Sequence, residues 1–266
     1  MVLTVDIGNS SITVGLFCQD AKKQDGELIC KSKYSTDTRK SADEYAALIY
    51  NTFTINLICT EDIDAVVLAS VVPQLTQVIK EALAKIVNAR VYLLGPGLKT
   101  GVNIRTDDPA ELGADIVANA VGALDIAEAP CIIIDVGTAT SVFAIDKNRA
   151  IVGGAIAPGV RVSLDSLKNS TSQLPSVSLT APKSILGKNT DNAMRAGLIF
   201  GHAFMIDGMI NALATEMGEE DITVVVTGGL AHTILPCLKH KVIYSEDLTL
   251  LGLFKIYNNN PKKLLV

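Results

Sequence analysis

Short apolar runs rich in β-branched residues alternate along the chain with longer segments in which apolar residues recur every three or four positions. The first pattern predicts buried strands and the second predicts amphipathic helices. A strand followed by a helix is predicted at 63–86, where Pro73 marks the break, and again at 222–240, where a Thr-Gly-Gly triplet marks it. Strands that alternate with helices in this way are typical of an α/β fold.

The opening strand pattern occurs twice. The sequence LTVDIGNSSITVGLF at 3–17 can be laid over IIIDVGTATSVFAID at 132–146 without a gap. Two pairs of residues then coincide at an offset of 129, Asp6 with Asp135 and Gly8 with Gly137. Each copy is an apolar run, an Asp-x-Gly triplet, small hydroxyl or amide residues and a second apolar run. This order predicts a hairpin with a tight turn, and its repetition predicts a duplicated lobe.

The turn residues are suited to phosphate. Glycine allows a phosphate to approach the backbone, and the side chains that follow offer hydrogen-bond donors. These side chains belong to Asn9, Ser10, Thr138 and Thr140. A plain Asp-Gly turn that binds nothing is the alternative for either copy alone, and the duplication weakens it. The Gly228–Gly229 pair can likewise lie under a flat ligand or form an ordinary strand-to-helix turn.

Three further segments have a readable pattern. Residues 169–190 are rich in Ser, Thr, Pro and Lys, which predicts an exposed connection. Residues 189–213 predict a helix with Thr190 or Asp191 as its N-cap, and 246–256 predict a short closing helix.

A helix is also predicted from Asp108, with that residue as N-cap and Pro109 in the first helical position. It would place Asp115, Asn119 and Gly122 on one face. That face suits a solvated stripe and an active site equally well.

Composition narrows the class of protein. Hydrophobic residues make up 48% and charged residues 19% of the 266 residues, as in a globular chain long enough for two lobes. The net charge is −5 and no basic cluster exceeds a pair, so nucleic acid is not expected as a partner. Five scattered cysteines without a CxxC pair indicate neither a disulfide framework nor a zinc site. No run of about 18 uninterrupted apolar residues occurs, so we expect a cytoplasmic protein without a membrane span.

Eight motifs follow one another along the chain: DIGNS, ASVVP, GPGLKTGVNI, GADIVANAV, DVGTATS, GGAIAPGV, LGKNT and TGGLA. This collinear series resembles the type III pantothenate kinases, members of the sugar-kinase and actin-like ATPase superfamily. The resemblance implies two duplicated RNase-H-like lobes with an ATP cleft between them. We expect the first lobe at 1–112, with a C-terminal helix at 246–266 packing back on it, and the second lobe at 113–245.

The resemblance also implies an activity, transfer of the ATP γ-phosphoryl group to the terminal hydroxyl of pantothenate in the first step of coenzyme A synthesis. Asp115 would be the catalytic base, Asp6 would lie near Mg²⁺, and Asp135 would bind a monovalent cation, K⁺ or NH₄⁺. Family members are usually homodimers whose acceptor pocket closes at the subunit interface. The expected ATP and phosphate-binding residues are Asp6, Gly8, Asn9, Ser10, Ser11, Thr13, Thr138, Gly228 and Gly229. The expected substrate-binding residues are Thr106, Gly113, Ala114, Ile116 and Thr190.

Two positions depart from the family pattern, and both are expected at the acceptor. Ile116 stands where the family has an arginine that helps to hold the acceptor, and Thr106 stands where a tyrosine is common. Loss of one charge-assisted contact weakens carboxylate binding by roughly 1.5 to 3 kcal/mol.

Three hypotheses follow from these departures, and a fourth, an actin-like polymerising ATPase, is disfavoured by the length and by the acceptor-pocket motifs. The protein is a pantothenate kinase that holds its substrate through Arg105, Lys99 or a partner subunit, a kinase for a different small alcohol, or a non-catalytic nucleotide-binding regulator.

Overall fold

The computed structural model describes residues 1–19 and 26–260, which form two compact units. The first unit comprises Met1–Gly101, Ala110–Gly122 and the chain from Leu248 onward, and the second comprises Val102–Pro109 and Ala123–Asp247. These boundaries differ from the predicted boundary between residues 112 and 113. Residues 102–109 pair with the second sheet, while residues 110–122 pack with the C-terminal helix. The end of the expected closing helix, 261–266, lies outside the described residues.

The first unit contains a five-stranded sheet in the order β3-β2-β1-β4-β5. Strands β1, β2 and β3 are antiparallel, and β4 and β5 continue parallel to β1. Apolar side chains of β1, β2 and β4 pack with α1 and α2 in a buried core. Its elements are β1 (Val2–Ile7), β2 (Ser11–Gln19), β3 (Gly26–Ser35), α1 (Ala42–Ile55), β4 (Ala65–Ser70), α2 (Pro73–Ile86) and β5 (Arg90–Leu93).

The second unit contains a six-stranded sheet in the order β11-β10-β7-β8-β9-β6. Without β6, this order repeats that of the first sheet, with the same three antiparallel strands followed by two parallel ones. The repeat confirms the predicted duplication and the α/β class. Its elements are β6 (Asn103–Ile104), β7 (Cys131–Val136), β8 (Ala139–Ile145), β9 (Ala150–Pro158), α4 (Val160–Ser170), α5 (Thr190–Met217), β10 (Thr223–Thr227), α6 (Ala231–Ile234) and β11 (Ile243–Tyr244).

Two further helices are α3 (Ala114–Ile126) and α7 (Leu248–Asn258), and the first nine residues of α3 belong to the first unit. A Cβ added to Gly122 would collide with the Leu248 carbonyl, so α3 and α7 are in backbone contact there. The predicted start at Asp108 is wrong, since α3 begins only at Ala114. The preceding segment is held at the edge of the second sheet, where the Arg105 N–H donates to the Ile151 carbonyl at 2.8 Å.

The N-cap of the long helix α5 lies one residue before the first of the two predicted caps, Thr190. Asn189 is the N-cap, and its side chain accepts the Asn192 N–H at 2.8 Å, because its carboxamide oxygen reaches the open first turn. The helix is long and apolar enough to cross a membrane, and 44% of its most apolar stretch is buried within the protein. The core helix of a soluble protein can be equally long and apolar.

The predicted helix after β10 is much shorter than expected. Helix α6 has four residues and is followed by a single 3₁₀ turn at Leu235–Cys237. Pro236 lies in that turn, and a proline has no N–H with which to continue an α-helix.

Candidate active site

The first Asp-x-Gly triplet forms a four-residue turn between β1 and β2. Ile7 pairs with Ile12, and the Gly8 N–H donates to the Ser11 carbonyl at 3.0 Å. Asp6 lies one residue before the end of β1, partly buried. Its backbone is flanked by Thr13 of β2 on one side and by β4 on the other. Asn9 and Ser10 are exposed at the tip of the turn. The strands therefore hold the aspartate rigidly and present the turn to solvent.

Thr36 braces this first turn from the end of β3. Its hydroxyl donates to the Gly8 carbonyl at 2.6 Å, and its N–H donates to the Ser10 carbonyl at 3.2 Å. No local motif points to Thr36, which is 28 residues from Gly8 in the sequence. Only the pairing of β2 with β3 brings it to the turn.

The second triplet forms a shorter turn. Val136 pairs with Thr140, so three residues separate the strands, and the Gly137 N–H donates to the Ala139 carbonyl at 3.0 Å. Thr138 is exposed, as a phosphate contact would require. Thr140 is fully buried, and its hydroxyl has no hydrogen-bond partner among the described residues. Thr140 therefore differs from the exposed Thr138, because the shorter turn already places it within the sheet, and its predicted role as a phosphate donor stays a prediction.

The Asp135 carboxylate lies between two glycines of the second unit. A Cβ added to Gly137 would lie 3.3 Å from its Oδ1, and a Cβ added to Gly228 would lie 2.5 Å from the same atom. Gly228 has φ +104°, a conformation that favours glycine. The Leu230 N–H donates to the Val136 carbonyl at 3.1 Å, which ties the Thr-Gly-Gly segment to the end of β7. The predicted residues Asp135, Gly228 and Gly229 thus belong to one local structure.

Gly159 follows β9 and lies against the backbone of the second turn. Its N–H donates to the Thr138 carbonyl at 3.1 Å, and an added Cβ would collide with the carbonyl oxygens of Gly137 and Thr138. The resemblance contained this residue in the motif GGAIAPGV without giving it a role. Its role here is to allow the backbone after β9 to lie close to the turn.

Asp115 is the second residue of α3 and is largely enclosed. Its Oδ1 accepts the Ile116 N–H at 2.8 Å, and burial raises the pKa of its carboxyl above the usual range. The alternative of a solvated helix stripe is wrong, because Asn119 and Gly122, which share the Asp115 face of α3, are buried. Asn119 is 3% exposed and accepts the Thr249 hydroxyl of α7 at 2.7 Å.

The residues around Asp115 leave space for its carboxylate. A Cβ added to Gly113 would collide with Asp115 Oδ1 and lie 3.6 Å from Ile116 Cδ1. Ala114 and Ile116 are half-buried in the same first turn of α3. The Asp115 carboxylate can lie in this position because residue 113 is a glycine without a Cβ. Residues 113–116 belong to the first unit, whereas the sequence analysis placed them at the start of the second lobe, 113–245.

The other expected acceptor residues belong to the second unit. Thr106 follows β6, and its hydroxyl is buried without a hydrogen-bond partner among the described residues. Thr190 is exposed at the start of α5 and lines an open cavity of about 960 Å³ between α4, the 171–189 connection and α5. Other residues lining this cavity are Ser163, Ser166, Lys188, Met194 and His202.

His202 lies at the wall of that cavity and is 8% exposed. Its Nε2–H donates to the Pro158 carbonyl at 3.0 Å. Burial lowers the pKa of the imidazole, so the ring is neutral at neutral pH. No sequence motif pointed to His202.

No group of three or more His, Cys, Asp or Glu side chains that could hold a metal occurs within 1–19 and 26–260. A divalent ion would therefore need ligands other than a dense protein cluster. Mg²⁺ commonly takes one or two carboxylates together with substrate phosphate oxygens. Asp6, one residue before the end of β1, could supply one such carboxylate.

Two solved structures have the same fold over nearly the whole chain. One is described as a Baf family transcriptional activator from Campylobacter jejuni, with a TM-score of 0.61, 19% identity, and coverage of 97% of this chain and 98% of that one. The other is described as a 2-dehydro-3-deoxygalactonokinase from Sinorhizobium meliloti, with a TM-score of 0.61, 12% identity and the same coverage. The duplicated sheets and paired Asp-x-Gly turns therefore form a two-unit α/β fold that this chain shares with both proteins.

The family follows from similarity in sequence. A family model described as type III pantothenate kinase matches residues 2–212. A type III pantothenate kinase of Shouchella clausii is 38% identical over 260 residues, which cover 98% of this chain and 100% of the relative. A second, of an Exiguobacterium species, is 36% identical with the same coverage. The chain belongs to the type III pantothenate kinase family.

Proposed function

We propose that this protein is an ATP-dependent kinase that phosphorylates pantothenate to 4′-phosphopantothenate, the first step of coenzyme A synthesis. The observation that carries the proposal is similarity over 98% of the chain to two relatives named type III pantothenate kinase. The buried carboxylate of Asp115 supports catalysis over a purely regulatory role, because nucleotide binding alone does not require a base.

Asp115 is the general base that accepts the proton of the acceptor hydroxyl. A base works best when its pKa lies near the working pH, and burial moves the pKa of Asp115 in that direction. The Ile116 N–H holds one carboxylate oxygen, and Gly113 leaves room beside it. The second oxygen of the carboxylate is then the one suited to receive a proton.

The two turns hold the nucleotide and its cations. In the first unit, Gly8, Asn9, Ser10, Ser11 and Thr13 bind ATP phosphates through the exposed turn and its backbone. Asp6 supplies a carboxylate for Mg²⁺, whose chemistry is to neutralise charge on the phosphates.

In the second unit, Thr138 makes another phosphate contact and Gly228–Gly229 lie against the nucleotide. Asp135 binds K⁺ or NH₄⁺ through its carboxylate, which the two neighbouring glycines leave free of contact with any Cβ of their own.

The acceptor is bound by Thr106, Gly113, Ala114, Ile116 and Thr190. A kinase of the same family acting on another small alcohol is the second candidate. It is favoured by the half-buried apolar Ile116, which offers a carboxylate neither a charge nor a hydrogen-bond donor.

The experiment that separates these candidates measures ADP release with ATP, Mg²⁺ and K⁺. The acceptors are pantothenate, pantoate, nucleosides, sugars and vitamin alcohols. Turnover on pantothenate at micromolar to millimolar concentration supports the proposal. Turnover on another alcohol alone supports the second candidate, and ATP binding without turnover on any acceptor supports a regulator.

The base assignment has its own test. Asp115→Asn should bind ATP normally while kcat falls by about 100-fold or more. Since the carboxylate must be ionised, wild-type kcat should fall as pH drops through the Asp115 pKa, which lies above the usual aspartate range because of burial. The asparagine variant should lose this acidic limb. An unchanged limb in the variant would assign it to another group.

We further propose a soluble cytoplasmic homodimer that associates through the outer face of α5. Phe204 is 49% exposed there, and a Cβ added to Gly197 or Gly201 would meet nothing within 4 Å. Phe204→Glu should shift the light-scattering mass from dimer to monomer. Ile55→Glu, at an 80% exposed apolar residue of α1, is the matched control and should remain dimeric.

A further inference from the structure

The cavity that contains Thr190 has one charged side chain in its wall. Lys188 lies two residues before Thr190, at the end of the 171–189 connection, and no carboxylate lines the cavity in the described parts of the chain. The first turn of α5 forms part of the same wall through Thr190 and Ala193. The N-terminus of a helix carries a partial positive charge, so two sources of positive potential act on one cavity.

Lys188 has no ion-pair partner among residues 1–19 and 26–260. The nearby Arg195 differs, because its guanidinium pairs with Asp191 at 3.4 Å and donates to the Thr180 hydroxyl at 2.6 Å. Side chains of the protein therefore pair with Arg195, whereas Lys188 remains available to a ligand. A lysine ammonium binds anions as a compact charge with three donors.

His202 offers the same cavity a hydrogen-bond acceptor. Its Nε2–H is committed to the Pro158 carbonyl, so Nδ1 of the neutral ring is an acceptor, and no described residue donates to it. The ring is more than nine-tenths buried at the cavity wall. A buried acceptor of this kind indicates a ligand that carries an N–H or O–H donor.

We propose that Lys188 is the specificity-determining cation of the acceptor site and binds the acceptor's carboxylate, with His202 accepting a hydrogen bond from its amide or hydroxyl. This inference rests on the proposed function. It identifies the group that provides the positive charge absent at Ile116. The ligand class is a hydroxy-amide carboxylate, held at Lys188 by its anion and at Thr190 by its polar groups.

The test compares pantothenate with panthenol, which has a hydroxymethyl group in place of the carboxylate. In Lys188→Met, the Kd and KM for pantothenate should rise about 10- to 100-fold, while values for panthenol change less than about twofold. Lys188→Arg should retain most of the affinity for pantothenate. Lys183→Met changes an exposed lysine of the same connection outside the cavity, and it should behave as wild type.

Calorimetric binding and ADP release together separate the two proposals. If the wild type phosphorylates pantothenate and Lys188→Met leaves its Kd and KM unchanged, the function stands and the role of Lys188 is wrong. Equal losses for pantothenate and panthenol would also overturn it. If the wild type binds pantothenate without turnover and the variant weakens that binding, Lys188 keeps its role and the proposed function fails. If the wild type neither binds nor phosphorylates pantothenate, both proposals are wrong.

Discussion

The two Asp-x-Gly hairpins lie beside equivalent strands in their two sheets, but their turns differ in length. In the first unit, four residues lie between the paired Ile7 and Ile12, whereas in the second, three lie between Val136 and Thr140. As a result, Asp6 is opposite Thr13, and Asp135 is opposite Ser141 rather than the residue that the gapless alignment supplies. A slip of one residue reverses the face of every side chain in the following strand.

The two turns are also braced by different means. A side chain, the Thr36 hydroxyl, holds the first turn, and its tip remains exposed. Backbone holds the second, where Gly159 and Gly228 lie against the turn and the aspartate with no room for a Cβ. An exposed turn with a rigid aspartate suits a large anion such as a triphosphate, while a tight turn around a carboxylate suits a small cation. One duplicated motif has thus acquired two geometries.

The largest test of this contrast is a pair of aspartate variants. If Asp6 serves Mg²⁺ and phosphate, Asp6→Asn should lower kcat by about 100-fold or more, because charge stabilisation of the transferred group is lost. If Asp135 serves the monovalent cation, Asp135→Asn should raise the K⁺ concentration for half-maximal activity by about tenfold. Initial rates across Mg²⁺ and K⁺ titrations measure both.

The two variants are each other's control. Asp6→Asn should leave the half-maximal K⁺ concentration unchanged, and Asp135→Asn should leave that of Mg²⁺ unchanged. Interchanged responses would reverse the assignment of the two turns. Identical responses would show that the difference in geometry has no functional counterpart.

The next test is steric and concerns Gly159. Its backbone has φ −70° and ψ 165°, which any residue can adopt, so an alanine there is opposed by collision alone. Gly159→Ala should lower the free energy of unfolding by about 2 to 3 kcal/mol, because the added Cβ must displace the turn backbone. Gly8→Ala is the counterpart, since its Cβ would be 3.1 Å from the Ser11 carbonyl oxygen, and it should cost less than about 1 kcal/mol. Urea unfolding measures both; equal costs would contradict the contrast.

The hairpins, their offset and the α/β class were predictable because local apolar runs and glycines determine them. The length of each turn was not, since Asp-x-Gly followed by small residues fits three or four turn residues equally well. Thr36 and Gly159 were not found because each reaches its turn through strand pairing far along the chain. Interactions between distant segments leave no periodic pattern in a single sequence.

The candidate site shows the same division. The resemblance selected Asp115, and local pattern left it undecided between solvent and active site. The packing of α3 on α7, where Asn119 accepts a hydrogen bond from Thr249, 130 residues away, excludes the solvated stripe, and the catalytic role of Asp115 stays a prediction. Lys188 lies in the LGKNT motif but received no role, and a lone histidine such as His202 in an apolar helix has no sequence signature; only the cavity that both residues line brings them together.

A smaller effect is expected when the brace of the first turn is removed. Thr36→Val deletes the hydrogen bond to the Gly8 carbonyl and should lower the free energy of unfolding by about 1 kcal/mol. The KM for ATP should rise severalfold, because the turn that binds phosphate is less restrained. Thr38→Val, at an exposed threonine two residues on, is the control for both measurements. An unchanged KM for ATP in the Thr36 variant would separate the brace from nucleotide binding.

The smallest effect concerns one buried threonine in each unit. The Thr4 hydroxyl donates to the Gly15 carbonyl at 3.0 Å, and the Thr140 hydroxyl has no partner among the described residues, although both side chains are fully buried. Thr4→Val should therefore lower the free energy of unfolding by about 1 kcal/mol. Thr140→Val should raise it by up to about 1 kcal/mol, because an unsatisfied buried hydroxyl is removed without a change of shape. If Thr140→Val instead destabilises the protein or lowers turnover, its hydroxyl has a partner in the working enzyme, and the second turn must open to provide it.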